Sequence, residues 1–529
     1  MERNGQILDS YGTCLEREGT EWTTTDPQVV DETSKLLERS DTETTAELVQ
    51  REFKALKPFV IISCSYLLFT ITDGAVRMIV LLHAFNLDFT AWETAIMFTL
   101  YELAGVFTNL LAGVVGARWG IKQTMIVGLV LQLGGIGILF GWDDDWDKSV
   151  GVIYVTLAQM LCGISKDLVK LGGKTVTKLV TPDEKQSRLF KIVSFLTGWK
   201  NTLKGVGYFL GSALLMINYN AALTGMCVLI LCALPFAVFG LSKELGRTRK
   251  ENIKLKTIFK KNYNVNVLSL ARFFLFGSRD MWFEVPLPFF LRGDDGLDWD
   301  HAAVGGFLAG WIILYGQVQS WSPQLILKPL RQSPANKWAC ALWGFILIVC
   351  PAILGSFFQF CPQAHDDVIR VITVVLSMGL FLFAFIFAIN SAIHSYLIVK
   401  YSEGDKVAMN VGFYYMANAL GRLTGTVVSG ALYEFVGGAT STSQGFAACF
   451  WASVGFVFFA AVIALFLRDD AGGLSCGSCL KCLNKPKPER VETETAEKVE
   501  DADDILHLGS YKADSTRQNT PNGLIITRP

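Results

Sequence analysis

Apolar residues run in long blocks along this chain, each closed by a short polar or charged stretch. Blocks of about 20 residues match the hydrocarbon thickness of a bilayer. Twelve fall at 58–81, 92–116, 121–141, 150–176, 190–217, 220–241, 265–290, 302–327, 336–357, 368–398, 406–434 and 443–467. Each predicts a membrane-spanning helix, because an open-ended element in lipid must satisfy its own backbone groups. The expected fold class is an all-α membrane protein with twelve transmembrane helices in two six-helix halves. The divisions are an acidic, disordered cytoplasmic tail (1–57), the first half (58–241), a basic cytoplasmic linker (242–264), the second half (265–467) and a disordered cytoplasmic tail (468–529).

Composition narrows the class. At 51% hydrophobic and 18% charged residues, the chain is too apolar for a soluble domain. Its net charge of −1 hides an asymmetry: residues 1–57 carry −6, residues 468–529 carry −2, and the membrane part carries +7. The first 57 residues are polar, so the first apolar block is expected to serve as both targeting signal and permanent span. Basic loops alternate with acidic ones. Arg118 and Lys122, then Lys178, Lys185 and Arg188, then the linker, then Lys328, Arg331 and Lys337 lie on one side. Asp143, Asp144, Asp145 and Asp147, then Asp294, Asp295, Asp298 and Asp300 lie on the other. Basic loops favour the cytoplasm, so both termini are expected there, with the plasma membrane as the host membrane.

Charges inside the apolar blocks change the picture most. Arg77, Lys166, Lys170, Lys174, Lys200 and Lys204 lie in spans of the first half, and Arg272, Arg279 and Arg422 in the second. Each costs about 2.5–3.5 kcal/mol at membrane depth and so faces a partner or a water-filled path. So many of one sign predict a cavity for an anion. Arg77, Arg272, Arg279 and Arg422 carry the planar fork suited to bidentate phosphate or carboxylate contacts. Lys166 and Lys170 extend to Lys174 and Lys178 as a stripe every four residues. The outer pair suits snorkelling to the interface; Lys166 and Lys170 suit a substrate path.

The embedded acids are Asp73, Glu102, Asp167, Asp280 and Glu284, and they serve either charge pairing or proton coupling. Asp73 and Arg77 are four apart and can pair on one helix face, as an internal salt bridge or as an anion site tuned by Asp73. Glu102 is one anionic companion for Lys200 and Lys204; a ligand phosphate is another. Gly205, Gly207 and Gly211 allow close helix approach. His394 reads as an interface residue near the end of span ten. The halves show short internal similarity: Phe69 to Asp73 against Phe276 to Asp280, and Lys204-x-x-Gly207 against Arg422-x-x-Gly425. Two six-span halves around a midplane site form the major facilitator architecture.

Cysteine adds little. Cys64, Cys162, Cys227, Cys232, Cys340, Cys350 and Cys449 sit in apolar runs as small hydrophobes. Cys476, Cys479 and Cys482 follow span twelve, where juxtamembrane palmitoylation is the commoner use and three-thiol metal capture the alternative. No nucleophile–base or metal-ligand constellation predicts an enzyme, and no cofactor, metal or nucleic acid is expected.

Between spans two and three the chain reads Gly113-Val-Val-Gly-Ala117-Arg118-Trp-Gly120-Ile-Lys122. This resembles the major facilitator loop signature Gly-x-x-x-Asp-Arg-x-Gly-x-Lys, with Ala117 in place of the Asp, so a gating role falls to Gly113, Arg118, Gly120 and Lys122. More specific are Thr72-Asp-Gly-Ala-Val-Arg77-Met, Leu100-Tyr-Glu102-Leu-Ala-Gly-Val, Gly163-Ile-Ser-Lys166-Asp167-Leu, Thr197-Gly-Trp-Lys200-Asn-Thr-Leu-Lys204-Gly-Val-Gly and Ala271-Arg272-Phe-Phe-Leu-Phe-Gly-Ser-Arg279-Asp280-Met-Trp-Phe. Over roughly residues 58–467 these resemble the organoarsenical efflux permeases of the major facilitator superfamily, the ArsJ type. The resemblance implies export of 1-arseno-3-phosphoglycerate, a functional link to glyceraldehyde-3-phosphate dehydrogenase, which makes that compound, and arsenate resistance; a monomer is expected. It supplies no ligand set; the basic residues are assigned from their charge. An organophosphate/phosphate exchanger, another organic-anion carrier and a non-transporting membrane sensor are the alternatives.

Overall fold

The structure, a computed structural model, describes the backbone of residues 7–8, 14–18, 21–24, 45–180, 186–240, 262–360, 366–402 and 407–468. Side chains are described from residue 64 onward within these, apart from 110–121, 171–190, 192–193, 196, 240, 366–367 and 407–409. Nearly all of it is helical. Helices α1 (Thr45–Asn86), α2 (Ala91–Met97), α3 (Thr99–Leu139), α4 (Lys148–Val180), α5 (Gln186–Leu215) and α6 (Tyr219–Gly240) form the first half. The second holds α7 (Tyr263–Phe283), α8 (Pro286–Arg292), α9 (His301–Ser322), α10 (Lys337–Phe360), α11 (Asp366–Lys400), α12 (Val407–Ala431) and α13 (Thr442–Leu465).

Eight helices among the described residues are long and apolar enough to cross a membrane. The expected spans outside that group, 92–116, 190–217, 265–290 and 406–434, are ones that carry embedded charge: Glu102, Lys200 and Lys204, Arg272 to Glu284, and Arg422. Lipid-facing surface shows as apolar stripes at helical spacing. On α11, Val371, Val374, Met378, Leu382 and Phe385 are all exposed, as one side of a helix requires. Helix α1 is the opposite case, with 83% of its spanning window buried, and it forms the centre of its half.

Helix α3 extends over both predicted spans two and three. The chain nevertheless reverses within it. Gly105 faces Asp167 of α4, whereas Gly128 faces Ser165 and Gly135 faces Ala158. In a straight helix Gly105 and Gly128 would lie about 35 Å apart; here both pack on one turn of α4. The first part of α3 therefore runs parallel to α4 and the second antiparallel, which restores two spans. With α2 continuing into α3 and α7 into α8, the bundle has twelve spans.

Two features depart from expectation. Within residues 1–57, where no structure was expected, β1 (Ile7–Leu8), β2 (Cys14–Glu18) and β3 (Glu21–Thr24) form an antiparallel sheet in the order β1-β2-β3. Only Gly19 and Thr20 separate β2 from β3, a length that favours a hairpin, and Arg17 stands opposite Trp22. Helix α1 also begins at Thr45, well before the apolar block. Second, span seven is not one helix. It breaks at Glu284 and Val285 because Pro286 starts α8 without a backbone donor and constrains the residue before it.

Close packing between helices uses small residues, as expected where lipid removes the hydrophobic drive. Helix α5 is wedged between α1 and α9: a Cβ on Gly211 would meet the Ala75 carbonyl at 2.5 Å, and one on Gly205 the Ala309 carbonyl at 2.9 Å. The second half repeats the device between α7 and α12, where Gly425 faces the Gly277 carbonyl at 2.6 Å. Thus Lys204-x-x-Gly207 and Arg422-x-x-Gly425 occupy equivalent places in the two halves.

Candidate functional site

Where α1, α3, α7 and α12 meet, the embedded charges form a buried network. Arg77 on α1 donates to Glu102 on α3 at 2.9 Å and to Glu284 at 2.6 Å. Its guanidinium stacks on Phe98 and Tyr101, 4.8 and 4.7 Å from their centroids. Arg422 on α12 reaches Asp280 at 2.8 Å, Glu284 at 2.7 Å and Glu102 at 3.0 Å. Arg279 bonds Asp280 at 2.6 Å and Glu284 at 3.2 Å. Lys166 stands 3.7 Å from Glu102 and 3.8 Å over the Tyr101 ring. The break after α7 frees Glu284 from a regular helix and places it among three guanidiniums. Arg77–Glu284 and Arg422–Glu102 join the first half to the second.

A buried pair gains little over apolar packing, but removing one partner costs about 3–5 kcal/mol. The network is therefore mutually dependent. It also places the expected pairings differently. Arg77 does not bond Asp73: that carboxylate accepts the Tyr101 hydroxyl at 2.5 Å, while Arg77 is drawn across the bundle to Glu102 and Glu284. Nor is Glu102 a companion of Lys200 and Lys204, since Arg77, Arg422 and Lys166 surround it. Lys170 pairs with Asp167 at 3.3 Å and caps the Tyr415 ring of the second half at 4.4 Å. Asp167 also accepts from Thr108 at 2.8 Å.

Three embedded cations are left over. Among the described residues, no carboxylate forms an ion pair with Lys200, Lys204 or Arg272. The charges acting on Lys200 include Lys170, Lys204, Arg272 and Arg422, all positive. Lys204 feels Glu284 most strongly but makes no ion pair with it; its ammonium lies 5.4 Å from the Tyr208 ring. Both lysines sit on the side of α5 away from its exposed residues Phe195, Trp199, Val206 and Phe209. Arg272 is only 3% exposed and bonds neutral groups alone, Asn418 at 2.9 Å and Ser391 at 3.3 Å.

Arg272 stands apart from the paired set along the bundle. Arg272 lies eight residues before Asp280 on α7, about 12 Å along the axis. Its partner Asn418 likewise precedes Arg422 on α12. Paired charges thus lie toward the end of the bundle carrying 87–90 and 293–300, and Arg272 toward the end where α7 and α12 begin; Lys204 stays near the paired level, packed against Gly74 of α1.

His394 is a correction: it is buried at 1% exposure, not at an interface, with Nδ1 lacking a partner. It is three residues beyond Ser391 on α11, the side facing Arg272. Gly113, Arg118 and Gly120, and also Lys174 and Lys178, lie outside the described side chains. Lys122 is described at the start of the returning part of α3. Cys476, Cys479 and Cys482 lie outside the described residues. Hydropathy missed Tyr101, Tyr315, Ser391, Gln319 and Asn418, which orient the charged groups. Ser391 accepts from Arg272 and Gln319 and touches the Tyr315 hydroxyl at 3.1 Å. Their signal is neutral polarity at one helical face inside an apolar span.

Comparison with known proteins agrees with this architecture. The family model described as the Major Facilitator Superfamily matches residues 59–397. The crystal structure of the human organic anion transporter MFSD10 (TETRAN) is similar, with a TM-score of 0.55 at 14% identity, over 77% of this chain and 99% of that one. That of a mutant of the nucleoside transporter NupG gives 0.54 at 15% identity, over 77% and 98%. At these identities the likeness shows the fold. No curated protein sequence matches the chain.

Proposed function

This chain belongs to the Major Facilitator Superfamily, and on that premise we propose that it moves a small organic anion across the membrane by alternating access, bound between the halves by Lys200, Lys204 and Arg272. One observation carries this reading: among the described residues, no carboxylate forms an ion pair with Lys200, Lys204 or Arg272, and Arg272 bonds only the neutral Asn418 and Ser391. An unpaired charge buried at membrane depth is costly, and an anionic ligand supplies the missing partner. The site has one member set on α5 of the first half and one on α7 of the second, so a bound anion ties the halves together.

The paired charges give the cycle a physical form. Arg77–Glu284 and Arg422–Glu102 hold the halves closed at one end. Opening that end breaks both pairs and exposes their charges to water. A ligand that neutralises the unpaired cations offsets part of that cost, so the halves rock more readily when loaded. Both termini face the cytoplasm and the plasma membrane hosts the protein in this scheme, and transport runs outward.

The specific cargo is 1-arseno-3-phosphoglycerate, as the span motifs imply. Its phosphoryl and arsenyl groups are the tetrahedral oxyanions that clustered Lys and Arg residues hold well. Glyceraldehyde-3-phosphate dehydrogenase supplies the compound, and no cofactor takes part. The test is arsenate resistance and cell arsenic content in an efflux-deficient host, with and without co-expressed dehydrogenase. Better growth and lower arsenic only with both proteins support this cargo. No change, with the protein verified in the membrane, removes the arsenical cargo and leaves phosphorylated metabolites as the cargo class.

A further inference from the structure

Arg272 and the lysines differ in more than position. The Arg272 guanidinium lies over Phe276 at 3.7 Å and 5.1 Å from the Tyr414 centroid. Aromatic faces on the guanidinium leave its edge for in-plane contacts. Nε and Nη1 are held by Asn418 and Ser391, which fixes the fork's rotation. Neither acceptor carries charge, so the buried cation remains uncompensated among the described residues.

A second observation points the same way. Around this group lie buried polar atoms without hydrogen-bond partners: the Tyr414 hydroxyl, the Ser269 hydroxyl and His394 Nδ1. Tyr414 is the ring stacked near Arg272, Ser269 precedes it by one helical turn, and His394 follows Ser391 by one turn. Orphaned buried polar groups are rare and costly. Their concentration beside an unpaired guanidinium describes a half-built binding site rather than a packed core.

We propose that Arg272 forms a second oxyanion subsite, separate from the lysine pair on α5, so that the cargo is a short molecule anionic at both ends. Lys200 and Lys204, mobile point charges, take a tetrahedral oxyanion. The rigid fork of Arg272 takes a second oxyanion edge-on, with Tyr414, Ser269 and His394 beside it as further polar contacts. This rests on the anion-site reading above and adds the two-ended requirement. It excludes uncharged nucleosides and disfavours singly anionic esters.

The test uses the purified full-length chain and thermal stabilisation by ligand, which reports affinity. The probes are 3-phosphoglycerate, anionic at both ends, and glycerol 3-phosphate, anionic at one. The wild type should respond to 3-phosphoglycerate at a concentration about tenfold lower. Arg272→Gln should bring that ratio to about one, and Arg272→Lys, which keeps the charge and loses the fork, should fall between. A wild-type ratio of about one overturns the inference while leaving the lysine site intact. So does an Arg272→Gln protein of normal unliganded stability that keeps the wild-type ratio. No response to either probe overturns the anion site and this inference with it. The wild-type ratio decides the matter even where the variants fail to fold.

Discussion

Replacing Glu284 by Gln tests the role of the paired charges. The amide keeps the shape of the carboxylate and removes its charge. Glu284 accepts from Arg77 at 2.6 Å, Arg422 at 2.7 Å and Arg279 at 3.2 Å, so three buried guanidiniums lose one shared anion. Breaking a buried pair costs about 3–5 kcal/mol. Only one of the three bonds, Arg77–Glu284, crosses between the halves. An equal division assigns about 1–2 kcal/mol to holding that end closed, or roughly tenfold in the ratio of closed to open conformers. The same end is bridged at its surface by Asn86 and His301, 2.9 Å apart. Asn86→Cys therefore reports opening through its rate of labelling by a membrane-impermeant maleimide, with labelling of the native cysteines subtracted. Glu284→Gln should raise that rate about tenfold. Adding Arg77→Gln removes one stranded guanidinium, so thermal stability should recover while labelling stays fast. Labelling of Glu284→Gln at the wild-type rate would refute the assignment of the network as the tie between the halves.

Further predictions concern packing and the buried tyrosine. Gly211→Leu drives a side chain into the backbone of α1 and should cost about 1–3 kcal/mol, seen as a lower unfolding temperature in detergent. Gly134→Ala, with nothing within 4 Å of the added methyl, should be neutral in the same assay. Tyr101→Phe strands the buried Asp73 carboxylate and should cost about 1–3 kcal/mol, whereas the ring beneath Arg77 and Lys166 is kept. Adding Asp73→Asn to Tyr101→Phe should restore part of that loss; an equal loss in both variants would contradict the Tyr101–Asp73 bond.

Much of this architecture is legible in the chain. The apolar blocks locate the spans because a bilayer imposes length and apolarity on each helix separately. Embedded charges flag the site for the same reason, since each is costly on its own. What pairs with what was not legible. Asp73 and Arg77 satisfy the local i, i+4 rule, yet the rule describes isolated helix surfaces. In the bundle, Arg77 finds Glu284, 207 residues away, and Tyr101 takes Asp73. The distinction between neutralised and unneutralised cations follows from those distant pairs and is invisible to composition. The break in span seven was written in Pro286 and Pro288, but continuous apolarity masked it. His394 was misplaced because its depth depends on how α11 packs against α7.

The most direct measurement is uptake of labelled 3-phosphoglycerate by proteoliposomes preloaded with the unlabelled compound. Wild-type protein and a Lys200→Ala/Lys204→Ala variant of matched thermal stability would be compared. Saturable uptake by the wild type, abolished in the variant, is the predicted result. Equal uptake by both proteins would contradict the central claim that these unpaired lysines bind the transported anion.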